Sequence, residues 1–241
     1  MNLMTSSKAA IQRVMRSFGW EIRRFYLSEM DQLVHFLEQH GVDVVLDVGA
    51  NIGQFALTLR QAGYAGTIIS FEPQSRAHDV LTRAASSDPK WLIAPRCAVG
   101  AEAGEIEMNI SHNSVSSSIL DILPAHTEGA PGSRYISKEK VRVIRLDDCD
   151  LVPMSGNIYL KVDTQGFEQF VLDGAPGLLT RLKGLQLEMS LVPLYAGQAS
   201  FLALMTQLLA MGYDLWSITP EFQDQKTSRL LQANGIFFRR A

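Results

Sequence analysis

Cysteine is nearly absent from this chain: Cys97 and Cys149 are the only two in 241 residues. That excludes a disulfide framework, and no Cys/His spacing suggests zinc, so no metal site is expected. Cysteines this sparse fit a reducing, cytoplasmic compartment. Long apolar runs are missing too. None reaches the roughly 20 residues of a membrane-spanning helix, and the N-terminus lacks the uninterrupted apolar core of a signal peptide. Nor is there an excess of positive charge. Lys plus Arg number 22 against 25 Asp plus Glu, a net charge of −3, so nucleic acid is not an expected partner. The dinucleotide fingerprint G-x-G-x-x-G is also missing after the first strand pattern, which argues against a nicotinamide-dependent oxidoreductase.

What is present is an ordinary globular composition, 46% hydrophobic and 20% charged, long enough for one large α/β domain. Its most informative stretch is Val44–Phe55, VVLDVGANIGQF. Val44 to Val48 is a short β-branched run of the kind buried on both faces of a parallel sheet. Gly49 and Gly53 follow where the strand must turn, and either positive φ or close approach of a ligand calls for glycine there. From Ile52 the apolar positions Phe55, Ala56 and Leu59 recur at helical spacing, so a helix begins in the turn with free N–H groups at its start. The second run, Thr67 to Glu72, ends in an acid 25 positions beyond Asp47. An acid near this spacing on the second strand of such folds accepts hydrogen bonds from ribose hydroxyls. Together, the glycine turn and Glu72 predict an adenosine-type ligand.

Residues 1–40 read as an N-terminal helical extension and 41–241 as the main domain. Lys8 to Arg24 is basic and amphipathic. It is expected to cover the sheet or a partner in a homodimer, with peripheral contact to an anionic membrane as the alternative. Ser28 to Gln39 reads as a second helix. In the main domain the pattern predicts a helix over Ser75–Ala85, a third strand over Trp91–Val99 and an antiparallel excursion over Glu105–Ile110. Ser111–Lys140 is irregular and rich in Ser, Pro and Gly, which predicts a lid or acceptor loop in which His112, Asn113 and the serines meet hydroxyl groups. Val141–Leu146 is a further strand, and the fourth core strand, Asn157–Val162, carries Asp163 at its end. Because ligands of open α/β sheets bind outside the carboxyl ends of the strands, Asp163 belongs in one crevice with Gly49 and Glu72. It is expected to orient or deprotonate an acceptor, or else to contact the cofactor or cap the next helix. Gly184–Leu191 is the fifth strand and Ser200–Met211 an apolar helix. A strand to about Ile218, a polar loop over Pro220–Leu230 and a last strand after Asn234-Gly235 close the chain. The Asn-Gly pair suggests a turn into an antiparallel pairing.

Four blocks in order, LDVGANIGQF, SFEP, VIRLDD and YLKVDTQGFEQFVLDGA, resemble the FkbM-type family of S-adenosylmethionine-dependent methyltransferases over about Val44 to Glu188. The resemblance implies a Rossmann-like class I methyltransferase: a mostly parallel seven-stranded sheet, helices on both faces and an antiparallel last strand. It implies S-adenosylmethionine as cofactor and O-methylation of a sugar, glycan or small secondary metabolite. On this reading Asp47, Gly49, Asn51 and Gly53 hold the amino-acid end of the cofactor, with Ala50, Phe55 and Pro73 beside them. Glu72 takes the ribose, Ala98 and Val99 the adenine, and Asp163 also meets the cofactor. Asp163, Gln165 and Glu168 are the expected catalytic group, and His112, Asn113, Ser117, Ser118 and Glu188 the expected acceptor contacts; a Ser-Ser pair and an acid at the Glu188 position are features of the family. One departure stands out. The family usually has Glu where this chain has Gln165, which cannot act as a base. The rival readings are a non-catalytic scaffold of the same fold and, less well supported, the oxidoreductase.

Overall fold

The computed structural model describes residues 28–240, together with Val14, Met15 and Ser17; the basic helix expected over Lys8–Arg24 otherwise lies outside the described residues. Helix α1 (Glu29–Gln39) starts at a capping box. The Ser28 hydroxyl accepts from the Asp31 N–H, and the Asp31 carboxylate accepts from the Ser28 N–H. Such a box stabilises a helix end by about 1 kcal/mol. The helix buries Leu33, Val34 and Leu37 among main-domain residues such as Val45, Leu59 and Phe238, so its packing is continuous with the sheet.

The main sheet has seven strands: β1 (Val44–Val48), β2 (Thr67–Phe71), β3 (Trp91–Ile93), β7 (Ile158–Val162), β8 (Gly184–Ser190), β9 (Tyr213–Gln223) and β10 (Leu230–Arg239). Their order is β3-β2-β1-β7-β8-β10-β9. Every pairing from β3 to β8 is parallel, and β10 runs antiparallel to both β8 and β9. This is the expected Rossmann-like arrangement with its reversed last strand. Helices cover both faces. α1, α2 (Gln54–Gln61) and α3 (Ser75–Ala85) pack on one side with Val45, Ile68 and Tyr159. The short α5 (Glu168–Asp173) and α6 (Pro176–Leu179), with α7 (Phe201–Ala210), pack on the other with Leu46, Leu160 and Leu187.

Side chains alternate between the faces of a strand, and the alternation places the site. On the α1–α3 face each central strand is apolar at its amino end and polar near its carboxyl end. Val45 gives way to Asp47, Ile68 to Ser70, Tyr159 to Lys161, and Gln186 and Glu188 follow on β8. On antiparallel β10 the polar residue, Asn234, comes before Ile236 and pairs with Glu188. The sheet thus carries a polar floor under one end of α1.

Several expected boundaries shift. Trp91–Val99 is not one strand. Trp91–Ile93 pairs with β2, whereas β4 (Ala98–Val99) crosses into a second sheet of order β4-β6-β5. The expected excursion is β5 (Gly104–Ser111), antiparallel to β6 (Tyr135–Ile144). Ser111–Lys140 is more ordered than its composition suggests: it holds a 3₁₀ turn at Ser114–Ser116, helix α4 (Pro124–Gly129) and the first half of β6. Pro220–Leu230 is partly strand, because β9 continues to Gln223 and the hairpin turns at Asp224–Arg229. Asn234-Gly235 is therefore mid-strand in β10, and only the antiparallel pairing it suggested is present.

Candidate active site

The carboxyl ends of β1, β2, β7 and β8 open into a cavity of about 590 Å³, within the range of small-molecule clefts. Of the residues singled out for the cofactor, Gly49, Ala50, Asn51, Phe55, Glu72, Pro73, Ala98, Val99 and Asp163 line it. Of those singled out for chemistry or acceptor, Gln165, Asn113, Ser117 and Glu188 line it as well. Asp47, Gly53, His112, Ser118 and Glu168 do not, and each has a different place.

Gly49 sits at φ +78, and a Cβ there would come within 1.8 Å of the Asp163 carbonyl oxygen. The glycine lets the ends of β1 and β7 close together, with Asp163 N–H donating to the Val48 carbonyl. Gly53 at φ +93 serves packing and not ligand approach, because a Cβ would meet the Trp91 ring at 2.8 Å. Between them Asn51 takes positive φ, and its side-chain oxygen accepts from the Ile52 N–H. Glu72 is buried at the end of β2. One carboxylate oxygen accepts from the Asn51 N–H at 2.7 Å, the other from the Gln74 N–H at 2.8 Å. Burial pushes this carboxyl up to about 7, against the pull of those two N–H groups and of Lys161. Each oxygen retains a lone pair for a further donor.

Asp47 does not touch the cavity. It is fully buried, accepts from the Ser70 hydroxyl and faces Lys161, whose Nζ lies 3.1 Å from Oδ1, off the angle of a good hydrogen bond. Its job is to hold the lysine. Lys161 was not singled out from the sequence, although a lysine inside Ile158–Val162 is the signal that could have found it. It donates to the Gly49 carbonyl at 3.2 Å, stands 3.5 Å from Asp163, and lies over the Phe55 ring. Burial works against its charge, but Asp47 and Asp163 outweigh this and raise its pKa, so it stays a cation.

Gln165 stands at φ +55 in the turn after β7. Its amide nitrogen donates to Asp163 at 2.9 Å and to Glu188 at 2.8 Å, and its amide oxygen accepts from the Tyr195 hydroxyl at 2.7 Å. One neutral side chain thus fixes two carboxylates and a phenol. A glutamate here would set a third acid beside them. Glu188 is buried, and its pKa is raised well above the ordinary range by desolvation and then by Asp163. Glu168 faces away from the cavity. One of its oxygens accepts from the Thr164 N–H, the Thr164 hydroxyl and the Gly166 N–H, so it braces the turn that carries Gln165. Burial raises its carboxyl to about 7.

In the Ser111–Lys140 segment, Ser117 reaches Gln74 and Ser111. Ser118 donates to the Gln165 carbonyl at 2.7 Å and acts as a strut behind the wall. His112 is exposed and contributes a backbone N–H to Arg134. Sequence reasoning missed His126, whose ring lines the cavity, is buried, and packs 5.2 Å from both Tyr195 and Phe222. Among the described residues neither of its ring nitrogens makes a hydrogen bond, and burial lowers its pKa to about 4. No group of three His, Cys, Asp or Glu among the described residues is placed to hold a metal ion, and no described helix is long and apolar enough to cross a membrane.

The site can therefore accept hydrogen bonds from a diol at Glu72, cover a flat ring with Ala98 and Val99, and present an oriented carboxylate, Asp163, to a second molecule in the same cavity. A chain from Thermobifida fusca YX assigned as a methyltransferase superposes with a TM-score of 0.50 at 10% identity, over 88% of this chain and 79% of its own. Magnesium protoporphyrin IX methyltransferase from Synechocystis PCC 6803, solved with bound S-adenosylmethionine, gives 0.47 at 10% identity over all of both chains. A TehB-like enzyme from Corynebacterium glutamicum gives 0.44 at 13% over 99% and 100%. At such identity the likeness at 0.50 speaks to the fold and to nothing finer. No curated protein matches the chain. Residues 47–215 match the family described as the methyltransferase FkbM domain. That match spans well over half the chain and includes the end of β1 and all of β2, β7 and β8: the protein belongs to the FkbM family of S-adenosylmethionine-dependent methyltransferases.

Proposed function

We propose that the protein is an O-methyltransferase that acts, in the cytoplasm, on a hydroxyl of a sugar, a glycan or a small secondary metabolite. The observation that carries this reading is the placing of Glu72 and Asp163 on one cavity, the first satisfied by backbone N–H groups and the second held between Lys161 and Gln165. Glu72 and the Gly49–Gly53 turn would hold the ribose and the amino-acid end of the cofactor. S-adenosylmethionine, when bound, supplies a methyl group on a sulfonium, already a strong electrophile. What remains for the chain is to align an oxygen and remove one proton. Proximity and orientation supply much of such a barrier reduction. Asp163 accepts the hydroxyl proton at a carboxylate oxygen, and a positioned base of this kind contributes about 10²–10⁴-fold. Lys161 and Gln165 fix its orientation, and Gln165 ties it to Glu188 on the acceptor side.

The test has two arms. Calorimetry should show S-adenosylmethionine and S-adenosylhomocysteine binding where NADH does not. Labelled methyl transfer to a panel of hydroxyl compounds should then be detected as an alkali-stable ether. Label appearing on nitrogen, sulfur or carbon would overturn O-methylation; cofactor binding without transfer to any hydroxyl would favour the scaffold reading.

A further inference from the structure

The half of the cavity beyond Asp163 has an unusual donor and acceptor inventory. Its fully charged cation among the described lining residues is Lys161, and that ammonium is committed to Asp47, Asp163 and the Gly49 carbonyl. Both N–H groups of the Gln165 amide are committed to Asp163 and Glu188, and the Tyr195 hydroxyl donates to Gln165. Neutral amides such as Gln186 also line the wall and offer both donors and acceptors, but the charged groups left open are carboxylates. Glu188 is 5% exposed, and only one of its oxygens has a hydrogen-bond partner among the described residues. Its register partner across the sheet is Asn234, whose amide nitrogen donates to Glu221 at 2.7 Å. Glu221 stands at the open rim with its other oxygen unengaged by any described residue. His126, 3% exposed and without a hydrogen bond from any described residue, adds a neutral imidazole to the same wall. The Phe222 ring, which packs on His126, supplies an apolar surface between these groups.

Two carboxylates at one end of the cavity disfavour phosphate and carboxylate ligands, and their open oxygens call for donors. A ligand rich in donors, carrying positive charge, suits both conditions. An ammonium has three donors and no acceptor, and its charge restores the ionised forms of Glu188 and Glu221, which burial and their acidic neighbours disfavour. We propose that the acceptor is an amine-bearing alcohol of the amino-sugar class, with its ammonium between Glu188 and Glu221 and its reacting hydroxyl at Asp163. This rests on the O-methyltransferase reading and narrows its substrate class.

The test uses the full chain, with and without S-adenosylhomocysteine, titrated in a calorimeter with methyl β-D-glucosaminide, its N-acetyl derivative, methyl β-D-glucoside and glucose 6-phosphate. The amine should bind at least about tenfold more tightly than the N-acetyl and neutral compounds, a difference near 1.4 kcal/mol, and the phosphate should not bind. Glu221→Gln, at the exposed rim where folding is not at stake, should reduce that preference to under about threefold while leaving nucleoside affinity as it was. Equal affinity for amine and N-acetyl compounds, tighter binding of the phosphate, or no binding of the amine at millimolar concentration overturns the proposal. Failure to bind the nucleoside would count against the cofactor reading, and a missing amine preference against this one.

Discussion

Asp47 and Lys161 are register partners on adjacent parallel strands, and the lysine Nζ lies 3.1 Å from the aspartate, both residues buried. Two opposite charges inside an otherwise apolar pair of strands are costly to desolvate, and they persist because each compensates the other. The pair also bears on the proposed function, because Lys161 reaches Asp163 on its other side.

Lys161→Met should leave Asp47 as an uncompensated buried charge and cost about 3–5 kcal/mol. Combining it with Asp47→Leu removes both charges and should recover most of that loss. Urea unfolding of the wild type, both single variants and the double variant measures the coupling. Additive losses would mean that the two residues act separately.

Asp163→Asn and Glu72→Ala should separate chemistry from cofactor binding. The first removes the base and should lower kcat by about 10²–10⁴-fold, with S-adenosylhomocysteine affinity changed by less than about threefold. The second removes a charged acceptor and orphans the Asn51 and Gln74 N–H groups. Hydrogen bonds to charged groups are worth about 1.5–3 kcal/mol each, so affinity should fall by at least tenfold. Isothermal titration beside single-turnover kinetics reads both. Cofactor binding lost in Asp163→Asn, with turnover per bound cofactor intact, would remove the catalytic role.

Glu168 supports the turn through one oxygen alone, and the amide oxygen of glutamine can accept the same three bonds. Its carboxyl sits at about 7 against an ordinary 4.5. Between those values the folded protein keeps a proton that the unfolded chain has lost, so its contribution to stability is present below pH 4.5 and disappears as pH rises through 7. Glu168→Gln has no such loss. Relative to wild type it should gain on the order of 1–3 kcal/mol above pH 7, with turnover little changed. Denaturant melts at pH 4.5, 6 and 8 check this. A large loss of turnover would return Glu168 to the catalytic group.

Gln165→Glu replaces two donors with acceptors facing Asp163 and Glu188. Like charges at this range disfavour joint ionisation. The variant should work only where the new carboxyl is protonated, so its kcat should decline as pH rises past about 6, where the wild type should not. Identical pH–rate profiles would show that the amide's donors do not matter.

The strands carrying the site were legible because burial on both faces writes them as β-branched runs: Val44–Val48, Thr67–Phe71 and Ile158–Val162 lie within a residue of their expected limits. The glycine turn, Glu72 and Asp163 were legible because they sit at strand ends, where chain order and position in the crevice coincide. The split of Trp91–Val99 between two sheets, and the order within Ser111–Lys140, were not, because short segments there are decided by pairing with the distant β6 and not by their own periodicity. That Asp47 faces Lys161 and that Glu168 braces the turn, neither lining the cavity, was not legible for a related reason: a motif shows that an acid is present, not which way it faces.

By itself, then, the chain's order of residues determined an α/β domain, its strand-end turn and the expectation of an adenosine-type ligand, because these follow from local periodicity and from residues adjacent in sequence; the Rossmann-like class followed from the resemblance of the four ordered blocks. Tertiary structure alone decided that Lys161 ties Asp47 to Asp163, that Gln165 joins Asp163, Glu188 and Tyr195, and that His126 closes the far wall. Those contacts join residues up to 114 positions apart, and only the packing of separate strands and loops fixes which side chains meet.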